Sequence, residues 1–538
     1  MPLRKSEPYT FTPIGLTDSP DQTTSFPGAC RMLQNLVVDR YNLHGWTSRP
    51  GVTVLKDITA AVGAGAVISV AMQIGSRVYG LAGPSGGTDA PFCYDLGTAA
   101  LVTVTVAVGT TLPNAVAITG DWTPPTMALV STKLLVTHPN TTGLNVQGYY
   151  FDLSNPAAPT FNKLQVTVAA GAQTWIAQAV SQFGNRAWYS VGNVVYYSDV
   201  LVPQTITNAN QILTVGDTTN ITASVGLPLS TSSQGVLQAL ILFKDHSIWQ
   251  VTGDSALSTL ALNQLSGSNG CVSPRTIVAT PVGLLFMEYD GIRIVNQSGV
   301  VDYFNIDIVT PFTACTRPSR ACAVFSNGTY RISLDTTFNS TSYTPVEFWF
   351  DFISQKWSGP HTFGFHVAVP YPELSTTYGG SVILARNDVT SKLLNSQIVQ
   401  ASTSVFTDNG ASYQINLKTA SMPDTGDMME KCIVESTVEL APNQGPQNTY
   451  TFNALNDSGS IIGTCGVTTQ PTVGIWGTGT WGTGTWSANS LNAHVYTMKW
   501  DKPIVTKKLS FSMTSTAIAG TSVKQFNLRY QVLGYMNA

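Results

Sequence analysis

Charge is scarce in this chain of 538 residues. Asp, Glu, Lys and Arg together make up 11% of it, against roughly 25% in an ordinary soluble domain. The 27 basic and 30 acidic residues nearly cancel, leaving a net charge of −3. That balance excludes a dedicated nucleic-acid binder built on a basic patch. It allows a wall past which DNA slides, since strong phosphate contacts would hold the DNA in place. Long apolar runs are also missing. None approaches the ~20 residues of a membrane-spanning helix, so no membrane segment is expected. Arg4 and Lys5 have no apolar stretch behind them, so no secretory leader is expected and synthesis in the cytoplasm is. The seven cysteines, Cys30, Cys93, Cys271, Cys315, Cys322, Cys432 and Cys465, are odd in number and widely spaced. They predict free, mostly buried thiols, neither a disulfide frame nor a zinc site.

What fills the chain is Ser, Thr, Asn, Gln and Gly around short apolar runs. Examples are Gln238-Ala239-Leu240-Ile241-Leu242-Phe243 and Gly283-Leu284-Leu285-Phe286-Met287. Such runs, bounded by Gly, Pro, Asn and Asp, predict strands and almost no helix. A unit recurs in which a strand closes on an acidic turn, at Asp95, Asp152, Asp199, Asp254, Asp302 and Asp351. The spacings are 57, 47, 55, 48 and 49 residues. A period of roughly 40–50 residues with several strands per unit predicts an all-β chain with a β-propeller of about six to seven irregular blades. A string of irregular hairpins in one or two sandwiches is the alternative. Residues 1–50, with Pro2, Pro8, Pro13, Pro20 and Pro27, read as an extended N-terminal arm that must borrow a core elsewhere. Residues 51–420 carry the repeat. Residues 421–538 lose it and read as a C-terminal, sandwich-like β-domain.

Tests for chemistry return little. Gly253-Asp254-Ser255 has the order of an esterase element. It lies mid-chain with no D-x-x-H to supply a base, so a polar turn accounts for it. Gly477-Thr478-Gly479-Thr480-Trp481-Gly482 fits G-x-G-x-x-G but lacks the strand and helix that a dinucleotide site needs. Glu347 and Asp351 lie four apart beside Trp349 and Trp357, as ordinary blade-edge residues do. A glycosidase pair is the sharper alternative. His361 and His366 are close in sequence, without a metal-binding pattern. These readings predict no enzyme, no cofactor and no metal. Trp476, Trp481 and Trp486 recur every five residues. They either pack the C-terminal domain or anchor a partner, Trp being a common hot-spot residue.

Met32-Leu33-Gln34-Asn35-Leu36-Val37-Val38-Asp39 is followed by Trp46-Thr47-Ser48-Arg49-Pro50-Gly51-Val52. Later come Gly184-Asn185-Arg186-Ala187-Trp188-Tyr189, Val195-Tyr196-Tyr197-Ser198-Asp199, Phe243-Lys244-Asp245-His246-Ser247-Ile248-Trp249, Gly270-Cys271-Val272-Ser273-Pro274-Arg275 and Asp290-Gly291-Ile292. This order over about residues 30–360 resembles the bacteriophage tail-nozzle and packaged-DNA stabilisation (head-to-tail) proteins. The resemblance implies a propeller core and a homo-hexameric ring below the portal and adaptor of the virion. Such a ring extends or closes the DNA channel, docks tail spike, fibre or needle proteins, and touches DNA only transiently and non-specifically. The competing reading is a tail-associated carbohydrate-binding or depolymerase propeller. For a ring, charge placement supplies a contact. Asp424, Asp427, Glu430, Glu435 and Glu439 form one band, and Lys499, Lys502, Lys507, Lys508, Lys524 and Arg529 another. The two bands pair either within one domain or across a subunit boundary. Lys507 and Lys508 are the partner-contact candidates.

Overall fold

Leu240, Ile241, Leu242 and Phe243 are consecutive and all fully buried. Side chains of a strand alternate between faces, so the strand Gly235–Lys244 must be covered on both sides. Leu240 and Leu242 pack toward the preceding sheet, and Ala239, Ile241 and Phe243 toward the following one. The same division repeats at Leu284 and Phe286 against Leu285 and Met287, and at Val78 and Ala82 against Tyr79 and Leu81. These are the continuous apolar runs seen in the sequence.

The computed structural model describes residues 7–18, 28–39, 45–116, 123–143, 145–168, 171–231, 235–253, 259–304, 307–371, 381–386, 395–402, 405–420, 430–441, 448–456, 458–469, 494–517 and 522–533. The chain is nearly all β. Seven groups of antiparallel strands follow one another as blades of a propeller, the last two running on through sandwich strands into one large sheet. Blade 1 runs from Val67–Ile74 to Ala100–Val102, blade 2 from Thr126–Val130 to Thr160–Leu164, and blade 3 from Ala179–Phe183 to Ile212–Thr214. Blade 4 runs from Ile221–Thr231 to Ala261–Ser266, blade 5 from Val278–Thr280 to Val301–Tyr303, and blade 6 from Cys322–Ser326 to Lys356–His361. Blade 7 consists of Val367–Tyr371, Ser381–Ala385 and Gln397–Ser402. Its fourth, outer strand comes from the other end of the chain: Gly51–Asp57 pairs antiparallel with Gln397–Ser402. The first strand of blade 7 also touches the first strands of blades 6 and 1, so the ring closes. Of the repeated aspartates, Asp95, Asp152, Asp199 and Asp351 stand at the end of their blades' third strands, Asp302 lies within the fourth strand of blade 5, and Asp254 lies outside the described residues. Asp95 accepts from the Gly97 and Thr98 amides, Asp152 from Ser154, and Asp351 from Ile353 and Ser354, the short-range bonding that makes Asp a turn residue.

Beside blades 5 and 6 sits a sandwich. One sheet joins Leu36–Val38, Trp46–Ser48, Ser522–Val532, Lys431–Ala441 and His494–Thr497, with Glu7–Phe11 added along Ser522–Val532. The other joins Ala29–Gln34, Ala411–Thr419, Ser510–Ala517, Thr449–Leu455 and Ile461–Thr468. Phe526 bridges them, 5.9 Å from Phe511 and 6.0 Å from Phe452 between ring centroids. Two boundaries therefore differ from the sequence reading. The N-terminal segment is extended, yet its described strands are laid into this chain's own sandwich. Phe11, Leu16, Leu33 and Trp46 find their core there. The sandwich also takes in Ala411–Thr419, ahead of the boundary expected at residue 421. Neither pairing shows in local periodicity, because each joins segments some 380 to 520 residues apart.

Candidate functional site

The Asn-Leu…Arg-Pro-Gly opening folds into a joint between propeller and sandwich. Asn35 ends one sandwich strand in the left-handed region, φ 57°, which Asn tolerates better than most residues. Its Oδ1 accepts from Arg49 Nε at 2.9 Å and from the Thr362 amide at 2.9 Å. Its Nδ2 donates to the Gln414 carbonyl at 2.6 Å. Arg49, only 2% exposed, forks onto Asp408, Nη1 to Oδ1 at 2.9 Å and Nη2 to Oδ2. Its guanidinium lies 4.3 Å over the Tyr413 ring, whose hydroxyl donates to the Arg49 carbonyl. Gly51 has no room for a side chain, because a Cβ would strike the Thr407 carbonyl. One network thus ties together the strand that closes blade 7, the end of blade 6 and the sandwich.

A second cluster gathers where the first strands of blades 5, 6 and 7 begin. Arg275 sits in a short turn, Pro274–Thr276, ahead of blade 5. It donates to the His366 carbonyl at 2.9 Å and to the Ser69 carbonyl in the first strand of blade 1. It therefore reaches over to the inner strands of two other blades. Burial draws its guanidinium down to about 10. Arg320, in the matching turn Pro318–Arg320 ahead of blade 6, points Nη2 at His366 Nε2, 3.3 Å away. A guanidinium only donates, so Nε2 accepts and the imidazole is neutral. Burial, with Arg320, Arg275, Arg386 and Arg317 around it, holds His366 well below the usual imidazole range. Arg317 pairs with Asp335 at 2.9 Å. Sequence reading missed this cluster. Its signal is the repeat of a Pro-led, Arg-bearing turn three residues after a cysteine, Cys271 to Pro274-Arg275 and Cys315 to Pro318-Ser319-Arg320.

Among the described residues, those tested for catalysis do not assemble a site. Glu347 is buried against Arg331, 2.8 Å away, and accepts from Trp349 Nε1 at 2.6 Å. Burial raises its carboxyl against the pull of Arg331 and Arg49. Asp351 is spent on its turn. His361, 3.1 Å from Ser358 Oγ and near Arg49 and Arg331, belongs to a different environment from His366. Among the described residues no three His, Cys, Asp or Glu side chains group as metal ligands do. No helix there is long and apolar enough to cross a membrane. All seven cysteines are free thiols, five of them buried. Ser255, the Gly477–Gly482 repeat and Trp476, Trp481 and Trp486 lie outside the described residues.

The charge bands meet inside one domain where they are described. Arg529 approaches Glu435 to 3.5 Å and Lys524 approaches Glu439 to 3.9 Å, across neighbouring strands of one sheet. Of the two expected arrangements, this is the pairing within a domain. Lys507 is exposed and Lys508 half-buried. Their carbonyls accept from Lys431 Nζ at 3.3 Å and Thr506 Oγ1 at 2.7 Å, and neither ammonium has a carboxylate partner among the described residues.

No family model and no curated sequence matches this chain. Among solved structures, an exo-β-1,3-galactanase from Phanerochaete chrysosporium, with bound β-1,3-galactotriose, is similar at 9% identity, covering 90% of this chain and 100% of that one, with a TM-score of 0.23. A puromycin hydrolase is similar at 12% identity over 62% of this chain and 53% of its own, TM-score 0.34. The lectin SapL1, bound to α-methyl fucoside, is similar at 12% over 61% and 91%, TM-score 0.27. Scores this low carry no argument about this chain.

Proposed function

We propose that this chain is a structural, non-enzymatic component of a bacteriophage portal-vertex or short-tail assembly. In this reading six copies form a ring that extends or closes the DNA channel and docks adaptor, portal and tail spike, fibre or needle proteins. The observation that carries the reading is the Asn35–Arg49 joint. The residues of the family-like opening are the ones that lock sandwich and propeller into a single block, as a load-bearing ring subunit requires. The scarcity of charge suits a surface covered by neighbours.

The test is the assembled particle. Imaging is expected to place a sixfold ring of this protein at the tail vertex; a single copy there, or another symmetry, refutes the ring. The competing glycan reading predicts turnover of a surface polysaccharide. Hydrolysis abolished by Ser255→Ala or Glu347→Gln would replace the structural reading with an enzymatic one.

A further inference from the structure

We propose that the groove between blades 4 and 5 is a binding site for a neutral or amino sugar. The inference stands apart from the tail reading, since it concerns what the groove binds and not how copies assemble. Tyr289 and Tyr303 are 56% and 45% exposed, and they are the only exposed Phe, Trp or Tyr side chains among the described residues. Both belong to blade 5. Tyr289 stands in the turn between Gly283–Glu288 and Gly291–Asn296, and Tyr303 ends the outer strand Val301–Tyr303. Phe286 packs 5.1 Å from Phe243 of blade 4 between ring centroids. Arg293 is the cross-strand partner of Phe286, and Tyr303 that of Arg293. Directly opposed residues share a face, so Arg293 and Tyr303 lie on the side toward blade 4. From that blade His246 brings its ring 6.2 Å from Tyr289. Asn269, in the link from blade 4 to blade 5, donates to Glu288 at 3.3 Å.

The polar groups of the groove hold one another in place. Arg293 pairs with Glu288 and, at 2.8 Å, with Asp290, and its guanidinium lies 3.9 Å over the Tyr303 ring. The Tyr303 hydroxyl donates to the same oxygen of Asp290, Oδ2, that Arg293 reaches. Asp290 Oδ1 is shielded and has no hydrogen-bond donor, and an unmet acceptor of that kind is costly. A sugar answers these features together. Its C–H faces suit the electron-rich faces of exposed rings, and its hydroxyls donate to carboxylates, which only accept. Side chains already fixed before the ligand enters add little ordering cost to binding. Charge narrows the ligand further. Glu288, Asp290 and the exposed Asp245 and Asp302 set four acids against Arg293, so neutral and amino sugars are admitted and uronic or sialic acids repelled.

The test applies the full chain to an array of neutral, amino and acidic saccharides, followed by calorimetry with the best-bound member. Saturable binding of a neutral or amino sugar, without turnover, is expected. Tyr289→Ala should weaken it by roughly tenfold or more and leave the thermal midpoint unchanged, because more than half of that side chain already lies in water. Tyr289→Phe keeps the ring and should bind as the parent does. Asp290→Asn should weaken the neutral sugar, and Asp245→Asn should relax the exclusion of acidic ones. No saccharide bound by the folded chain, a preference for acidic sugars, or parent affinity in both Tyr289→Ala and Asp290→Asn overturns the proposal. So does a Tyr289→Ala variant that keeps its sugar affinity but loses docking to another protein, which would make the groove a protein contact.

Discussion

Arg49 Nε donates to Asn35 Oδ1 at 2.9 Å across fourteen residues of chain, and on its other side Arg49 holds Asp408. Arg49→Met would keep the bulk and leave Asp408 and Asn35 facing each other without a cation. Removing one partner of a buried pair costs about 3–5 kcal/mol. Asp408 is 19% exposed, so the lower end is expected, roughly 3 kcal/mol, in chemical denaturation. Asn35→Ala should cost less and shift the same transition. A midpoint unchanged in both variants would show that the joint is ornamental.

Deleting residues 1–25 should expose the core and promote aggregation. The described part of that segment supplies the strand Glu7–Phe11, which covers Ser522–Val532, and buries Phe11 and Leu16. An uncovered strand edge with apolar neighbours is a template for further pairing. Light scattering after expression is the measurement. A monomeric truncated chain with the full-length melting temperature would contradict the pairing.

Histidine burial sets a pH dependence. His361 faces Ser358, Trp349, Arg49 and Arg331, and His366 faces Arg275, Arg317, Arg320 and Arg386. Both are held well below the usual range by burial and by those cations. The folded state therefore refuses protons that the unfolded chain takes up near pH 6.5. Stability is present above that value and is lost as pH falls below it, by up to about 1.4 kcal/mol per pH unit per histidine. Thermal midpoints between pH 7 and 5 should fall, and the double variant His361→Gln, His366→Gln should flatten the slope.

Parts of this architecture were legible because they are local. Asp95, Asp152 and Asp351 announce their turns through bonds to amides two or three residues on, so the period of the blades shows in the sequence. Leu284 to Met287 announce a strand buried on both faces. What was not legible depends on distant partners. Gly51–Asp57 reads as one more strand, and nothing near it says that its partner is Gln397–Ser402. The arm expected at residues 1–50 looks coreless because Phe526 and Leu417, which pair with Phe11 and Leu33, lie hundreds of residues away. Arg275, Arg320 and Arg386 form a cluster only when the ring closes.

Contact with DNA should be weak and indifferent to sequence. The near balance of 27 basic and 30 acidic residues leaves little net attraction, and any phosphate contacts release counterions, so affinity should fall steeply with salt. Binding measured at 50 and 200 mM salt tests this. A sub-micromolar, sequence-specific complex at physiological salt would contradict the channel-wall reading.

Lys507 and Lys508 separate folding from assembly. Arg529 and Lys524 already answer Glu435 and Glu439 inside the sheet, so these bands do not by themselves hold copies together. Lys507 and Lys508 engage the fold through their carbonyls, which any residue supplies. Reversing both to Glu should leave the denaturation midpoint within roughly 0.5 kcal/mol of the parent. If their ammonium groups meet acidic residues of a neighbouring copy, the reversal sets like charges against each other. It then slows encounter and loosens register, since interfacial charge governs those more than bulk affinity. Ring yield on the portal or adaptor, counted by imaging, should then drop while the isolated subunit stays folded. A full yield of rings from the reversed variant would remove these two lysines from the contact.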